Sequence, residues 1–150
     1  MKQLDNIANM LFDLDLNEVI EDMIEFKTVT LNKDLTITSP GNDKTQANRK
    51  HGIYIHFATG CTCMYVGKAE RQSIAARQTS HFTSFRNPHN TNERTGKKYR
   101  EYMESNNLDS LEIKIVYLDM TKYPRYMIPM LEVMVMDHLE PVMNQETQEK

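Results

Sequence analysis

Two short apolar runs joined by a turn constrain the fold of this 150-residue chain more than any other feature. The runs GIYIHF (52–57) and CMYVG (63–67) are rich in β-branched and aromatic residues, and the ATGCT between them is typical of a turn. The sequence therefore predicts an antiparallel hairpin over residues 52–67. Strand alternation sends Tyr54 and His56 to one face of the hairpin, and Tyr65 can share that face.

Apolar periodicity predicts the elements on either side of this hairpin. Residues 3–12 and 16–25 space Leu, Ile and Met at helical intervals, and residues 28–31 and 35–38 alternate as short strands do. After the hairpin, the pattern predicts helices over about 71–85, 97–107 and 126–139, with a strand over 111–118. Helices interrupt the strands too seldom for a βαβ series, so we expect an α+β fold with a small sheet. Residues 1–48 are expected to form an acidic helical extension and linker, and residues 49–150 a domain of their own.

Composition excludes several classes of protein. The longest strongly apolar stretch, residues 127–136, contains Pro129 and Glu132 and is far shorter than a membrane span. The first fifteen residues have no basic region followed by an apolar run, so we expect no secretory signal. Cys61 and Cys63 are the only cysteines, which provides no disulfide framework and favours a reducing cytoplasm. For a phage-encoded chain, this would be the cytoplasm of the host.

Charge is distributed unevenly along the chain. The net charge is −3, yet residues 67–100 carry eight Lys or Arg against two Glu, between acidic ends. Such a basic segment is the electrostatic footprint of a phosphate-binding surface. A solvated surface without a ligand is the alternative, and the charge count alone does not separate the two.

Three further polar residues occupy positions that suit chemistry. Arg77 and His81 are four residues apart on a predicted helix, so a permanent cation lies one turn from a group that exchanges protons near neutral pH. Glu132 is the only acidic residue of the run MIPMLEVMVM. A carboxylate on such an apolar face needs compensation, either in a structural ion pair, for example with Arg77, or as a metal ligand.

These residues together resemble the GIY-YIG nuclease family. The motifs are GIY at 52–54 and YVG at 65–67, with ten residues between them, and YVGKA is also similar to the amino-terminal nuclease domain of the excision-repair endonuclease. Arg77 follows Gly67 by ten positions, two more than in the homing and repair members, which implies an insertion within ERQSI or at the helix start. The resemblance covers about residues 51–144 and rests on Gly52, Tyr54, Tyr65, Gly67, Lys68, Arg77, His81, Glu132 and Asn144.

The resemblance implies a three-stranded antiparallel sheet flanked by helices and a metal-dependent hydrolysis of DNA phosphodiester bonds. Tyr54 would orient and deprotonate the attacking water, and Lys68 would favour its phenolate. Arg77 would hold the scissile phosphate, and His81 would support the water, the tyrosine or a phosphate oxygen. Glu132 would hold one divalent cation, Mg²⁺ with Mn²⁺ as a substitute. By the same resemblance, Tyr65 lines the site, and Asn144 secures the end of the chain.

The remaining expectations concern partners. Basic residues in the segment from 86 to 100 are candidates for binding duplex or branched DNA, namely Arg86, Arg94, Lys97, Lys98 and Arg100. Residues 1–48 would repel phosphate, and we expect them to pack on the core, to self-associate or to bind a protein partner. The small size favours a stand-alone nuclease of the mobile-element or phage type. A non-catalytic nucleic-acid-binding or protein-interaction module with the same fold is the alternative, and phosphate contacts do not distinguish DNA from RNA.

Overall fold

The computed structural model describes residues 15–39, 47–90 and 93–143. The helix expected over residues 3–12 and the position of Asn144 therefore lie outside the described residues. None of the helices within these ranges is long and apolar enough to cross a membrane. The elements in chain order are α1 (Leu16–Glu21), β1 (Ile24–Asn32), β2 (Ile37–Thr38), β3 (Gly52–Ala58), β4 (Thr62–Ala69), α2 (Ile74–Arg86), α3 (Thr95–Ser105), β5 (Ser110–Asp119) and α4 (Met127–Leu139).

The strands form one antiparallel sheet in the order β2-β1-β5-β3-β4. The expected α+β class is confirmed, but the sheet has five strands among the described residues instead of three. The hairpin β3–β4 and the strand β5 form the expected part. The two additional strands come from residues 24–38, because β1 pairs with β5 from Ile24 opposite Tyr117 to Asn32 opposite Ser110.

The chain around residue 22 departs from the expected helix over 16–25. Helix α1 ends at Glu21, with Asp22 as its C-cap, and β1 begins at Ile24. From residue 24 onward, a strand is more favourable than a longer helix α1, because the strand buries Phe26, Val29 and Leu31 in the core of the sheet. A bulge between Glu25 and Lys27 breaks strict alternation, so the sequence pattern indicated only the part of this strand over residues 28–31.

The two faces of the sheet carry separate apolar cores. Tyr54 of β3 belongs to the core covered by α2 and α3, which contribute Phe82, Phe85 and Tyr99. The alternate residues of β3, Ile53 and Ile55, belong to the core covered by α1 and α4. The polar residues predicted for the site therefore arise from both faces and meet around β4, the edge strand of the sheet.

Two glycines permit the close approach that the hairpin needs. Gly67 lies opposite Tyr54 in the β3–β4 register, and a Cβ at this position would overlap the phenol ring of Tyr54. Gly52 has a φ of +152°, and a Cβ there would collide with the backbone carbonyl of Leu118. The glycines of the two motifs therefore have packing reasons in this fold.

Candidate active site

The centre of the candidate site is a hydrogen bond between β3 and α2. The Tyr54 hydroxyl lies 2.5 Å from Nε2 of His81, and both side chains are completely buried. Burial is the main cause that lowers the pKa of His81, so its ring is neutral, and either the phenol or the ring can supply the shared hydrogen, depending on the tautomer. The Ser73 side chain caps α2 by accepting the Ala76 N–H, which fixes the helix register behind this contact.

The connection between β4 and α2 covers residues 70–73. Strand β4 continues to Ala69, and α2 begins at Ile74. Arg77 consequently lies in the first turn of α2, one turn before His81, as the spacing of the two residues predicts.

Tyr65 and Arg77 lie beside the Tyr54 hydroxyl and are only half-buried. The ring centroids of Tyr54 and Tyr65 are 6.1 Å apart, and those of Tyr65 and His81 are 5.4 Å apart. Burial raises the pKa of Tyr54 well above its ordinary value, Tyr65 raises it further, and Arg77 pulls it down. Burial also raises the pKa of Tyr65. The structure thus brings together Tyr54, Tyr65, Arg77 and His81, with both tyrosines in the neutral form.

The role expected for Lys68 needs correction. Lys68 pairs with Ile53 in the strand register, which directs it to the face covered by α4 and away from Tyr54. Its ammonium group lies 3.4 Å from the carboxylate of Glu70. The cation beside Tyr54 is Arg77, and burial outweighs it. A Tyr54 phenolate supported by Lys68 is therefore not favoured in this structure.

Glu93 is a member of the site that the sequence analysis missed. Its Oε1 lies 3.2 Å from Nδ1 of His81, on the side of the ring opposite Tyr54, and accepts the backbone N–H of Thr95 at 2.7 Å. Burial pushes the pKa of Glu93 upward, but His81 and Thr95 outweigh it and the pKa falls to about 2. The available signal was that Glu70 and Glu93 are the only carboxylates of the basic segment 67–100.

A second buried histidine lies behind this pair. His56 Nε2 donates to Oε1 of Gln78 at 2.6 Å, and its Nδ1 accepts the hydroxyl proton of Tyr99 at 2.6 Å. Burial, followed by the nearby His81, lowers the pKa of His56 to about 3. His56 therefore stays neutral and forms a structural support for the Tyr54–His81 pair. Sequence reasoning placed His56 on the face of Tyr54 but did not identify Gln78 or Tyr99.

An open groove of about 440 Å³ gives access to the site from the edge of β4. Its lining contains three cations and one carboxylate, which suits a phosphodiester by charge. The lining residues are Lys68, Glu70, Arg71, Gln72 and Arg77. Arg71 and Gln72 are exposed and belong to the connection between β4 and α2. They were not predicted as site residues from the sequence, because no helical or strand spacing includes them.

Glu132 lies half-buried on α4, on the other side of β4 from Tyr54. Burial raises its pKa, whereas Lys68 and Arg77 lower it. Its carboxylate makes no hydrogen bond or ion pair with the described residues, so the structural pair with Arg77 is not formed. Within the described ranges, no group of three or more His, Cys, Asp or Glu could hold a metal ion. A lone, unpartnered carboxylate still suits Mg²⁺, which retains waters and binds one or two carboxylates together with substrate phosphate.

The five basic residues expected to bind DNA fall into three groups. Arg100 donates to the carbonyls of Ser84 and Phe85 at 2.6 and 3.1 Å, and Lys98 donates to the Met143 carbonyl at 3.2 Å. These two are structural contacts, and we withdraw them from the DNA surface. Lys97 lies 3.8 Å from Glu101 in an exposed pair on α3. Arg86 and Arg94 are exposed and stay candidates for DNA binding.

Compared with models of protein families, with curated proteins and with solved structures, the chain matches none of them.

Proposed function

We propose that the chain is a metal-dependent endonuclease that hydrolyses DNA phosphodiester bonds, of the GIY-YIG type that its motifs resemble. The observation that supports this most strongly is the buried hydrogen bond between Tyr54 and His81, with Arg77 beside it at the end of a basic groove. A purely structural tyrosine would not need a neutral histidine, an arginine and an open cationic groove around its hydroxyl.

The groove binds the scissile phosphate. Arg77 supplies charge-assisted hydrogen bonds, which a planar guanidinium makes to two phosphate oxygens at once. Arg71 and Lys68 line the same groove and add positive charge. Arg86 and Arg94 extend the basic surface outside the groove and contact the backbone of duplex or branched DNA.

Glu132 holds one divalent cation, Mg²⁺ or Mn²⁺ in its place, through a carboxylate that has no hydrogen-bond or ion-pair partner among the described residues. When bound, that ion stabilises the negative charge that develops on the phosphate and on the leaving oxygen. Burial raises the pKa of Glu132, and Lys68 and Arg77 oppose that rise, which favours the ionised form that a cation ligand requires.

Tyr54 transfers a proton without becoming a free phenolate. A water proton passes to the Tyr54 oxygen while the phenolic proton passes to Nε2 of His81, 2.5 Å away. The hydroxide formed attacks phosphorus, the bond from phosphorus to the leaving oxygen breaks, and that oxygen takes a proton from solvent. This sequence is compatible with a raised Tyr54 pKa because the basic group is the neutral imidazole.

Arg77 also controls the access of water to Tyr54. The phenol is completely buried, and the half-buried Arg77 and Tyr65 lie beside its hydroxyl. A phosphate in the groove draws the guanidinium toward itself and uncovers the phenolic oxygen. Binding of substrate and exposure of Tyr54 are thereby coupled, which limits proton transfer to the loaded site.

The test is cleavage of supercoiled plasmid with Mg²⁺ and with EDTA, comparing wild type with Glu132→Gln. Asp137→Asn, at an exposed position on the same helix, is the matched control. We expect nicked and linear products only with metal, at least ~100-fold slower cleavage for Glu132→Gln, and an unchanged rate for Asp137→Asn.

A parallel series with RNA and branched DNA identifies the preferred substrate. Retained DNA binding by folded wild-type protein, without cleavage of any of these substrates, would contradict the proposal and favour the non-catalytic binding module.

A further inference from the structure

We propose that Glu93 is the positioning residue of this site, which fixes the tautomer of His81 and stabilises its imidazolium after the proton arrives from Tyr54. This inference rests on the proposed function. It adds Glu93 to the proton-transfer site formed by Tyr54 and His81. Glu93 is not one of the residues on which the family resemblance rests.

The tautomer argument follows from the two ring nitrogens. Nε2 must carry no hydrogen if it is to accept the phenolic proton of Tyr54, so the neutral ring must carry its hydrogen on Nδ1. Oε1 of Glu93 lies 3.2 Å from Nδ1, and an ionised carboxylate only accepts hydrogen bonds. The carboxylate therefore favours the one tautomer that proton transfer from Tyr54 requires.

The contact between His81 and Glu93 leaves hydrogen-bonding capacity unused. Nδ1 of His81 lies 3.2 Å from Oε1 of Glu93, but neither Nδ1 nor Oε2 of Glu93 has a hydrogen-bond partner among the described residues, and both atoms are buried. Buried polar atoms without partners are costly, which favours a tighter contact between the two groups. Catalytic hydrogen bonds often become short and aligned only when substrate or charge arrives, and here the new charge is the imidazolium.

Glu93 is held where this role needs it. Oε1 accepts the N–H of Thr95 at the start of α3, and the Glu93 carbonyl accepts the hydroxyl of Ser84 on α2 at 2.8 Å. The residue is thus anchored to both helices that cover this face of the sheet. An anchored carboxylate loses little conformational freedom when the charge on His81 appears.

Glu93 is also the only anionic group among those that face His81 in the described residues. Arg77 on the same helix disfavours a second positive charge, and the neutral His56 and two neutral tyrosines offer none to offset it. The groups that face the ring are Tyr54 and His56 from β3, Tyr65 from β4, Arg77 from α2, and Glu93. Without Glu93, a proton on His81 would be buried beside Arg77 with no counter-charge.

The decisive experiment is a histidine NMR titration of the full chain labelled with ¹⁵N in its imidazole rings. The His81 signals report the tautomer and the pKa directly, and a His81→Gln sample assigns them. Glu93→Gln keeps size and polarity, Glu93→Asp keeps the charge, and Glu101→Gln is the control for an exposed glutamate of the neighbouring helix.

We expect the Nδ1–H tautomer in wild type and in Glu101→Gln. Glu93→Gln should lower the His81 pKa by about one unit or more, whereas Glu93→Asp should retain most of the wild-type value. An Nε2–H tautomer in wild type would overturn the proposal, and so would a His81 titration that Glu93→Gln leaves unchanged. The wild-type tautomer decides the question even if Glu93→Gln does not fold.

Cleavage assays separate this proposal from the nuclease assignment. The acidic limb of the pH–rate profile should move to lower pH in Glu93→Gln, with a rate at least ~10-fold lower on the plateau. A coupled Glu93–His81 pair in a protein that cleaves nothing would overturn the nuclease assignment and the catalytic role of Glu93, while supporting its control of the tautomer. Cleavage with an uncoupled His81 would overturn the Glu93 proposal alone.

Discussion

Arginines of the basic segment serve two different purposes. Arg77 lies beside the Tyr54 hydroxyl at the groove, whereas Arg100 points inward and binds the last carbonyls of α2. The final turn of a helix leaves carbonyls without intrahelical partners, and a cation is a strong donor for them. Positive charge in this segment is therefore not a measure of affinity for DNA.

We predict that Arg100→Ala lowers the free energy of unfolding by about 1–3 kcal/mol, because it leaves the Ser84 and Phe85 carbonyls without this donor. Arg86→Ala, at an exposed position, should change stability by no more than about 0.5 kcal/mol. Arg86→Ala should instead weaken DNA binding. It should also reduce the slope of log affinity against log salt concentration by about 1, which corresponds to the loss of one phosphate contact.

The measurements are urea denaturation and DNA binding at several salt concentrations. Equal stability of the two variants would contradict the structural role of Arg100. A salt dependence unchanged in Arg86→Ala would remove that residue from the DNA surface.

Strand β1 is an integral part of the fold, although its sequence region was expected to be an extension. We predict that Phe26→Ala lowers the free energy of unfolding by about 3–5 kcal/mol, because the side chain is only 1% exposed and packs edge-on against Tyr117. Ile24→Ala is the control on the same strand, where the side chain is 41% exposed, and should cost less than about 1 kcal/mol.

Thermal and chemical denaturation of both variants tests this point. A small and equal effect of the two substitutions would mean that residues 24–32 are not packed on the core, as an independent extension would require. The large difference expected here would place the boundary of the folded unit before β1.

Elements with a local signature were predictable from the sequence, and those that depend on distant contacts were not. The hairpin, the strand β5 and the helices α2, α3 and α4 begin and end within three residues of the expected positions. Their apolar pattern is regular over one element, so it needs no knowledge of the partner. Strand β1 pairs with β5, whose residues follow their partners by 78 to 93 positions, and its bulge disturbs the alternation outside residues 28–31.

The residues of the candidate site follow the same rule: contacts within one element or hairpin could be predicted from the sequence, and contacts between distant elements could not. Strand alternation and helical spacing bring Tyr54, Tyr65, Arg77 and His81 together as expected, because each relation is local to the hairpin or to α2. Glu93 contacts His81 because its backbone and side chain are held by Ser84 of α2 and Thr95 of α3, and no pattern within a single element indicates these contacts. Lys68 was assigned to Tyr54 through the resemblance, because it follows the YVG motif, whereas the strand register sends it to the opposite face.

Across the whole molecule, the buried histidines make stability depend on pH. Burial lowers the pKa of His56 to about 3 from an ordinary value of 6.5, and it also lowers the pKa of His81. Between these values the unfolded chain binds a proton at His56 that the folded chain does not, so stability is complete above pH 6.5 and falls as the pH drops toward 3. Glu93, with its pKa lowered to about 2, adds a loss in the same direction below its ordinary value of 4.5.

We predict that the free energy of unfolding falls by up to roughly 5 kcal/mol for His56 alone between pH 6.5 and 3. The test is the slope of stability against pH from 6.5 to 4.5, measured by urea denaturation. The His56→Gln protein should be less stable than wild type. Its free energy of unfolding should also depend on pH with a clearly smaller slope, because the contribution of His56 is removed and that of His81 remains. His89→Gln, at an exposed position, should keep the wild-type slope. A wild-type slope in His56→Gln would contradict the buried neutral state of this histidine.

The arrangement of the sheet explains how one small site gathers groups from two cores. Tyr54 and His81 belong to the face covered by α2 and α3, whereas Lys68 and Glu132 belong to the face covered by α4. The edge strand β4 separates them, and the groove along it is open to solvent. Under the proposed function, a phosphodiester bound by Arg77 in this groove lies between the Tyr54–His81 pair and the Glu132 carboxylate.

The central claim is that the Tyr54 hydroxyl carries the proton of the attacking water to His81. The most direct measurement is the single-turnover rate of supercoiled plasmid cleavage in Mg²⁺ by Tyr54→Phe, with Tyr126→Phe as the control at a tyrosine that is 43% exposed. Tyr54→Phe removes one oxygen and keeps the buried ring, and circular dichroism verifies the fold. We predict a rate at least ~100-fold lower for Tyr54→Phe and an unchanged rate for Tyr126→Phe. Wild-type cleavage by folded Tyr54→Phe protein would contradict the account.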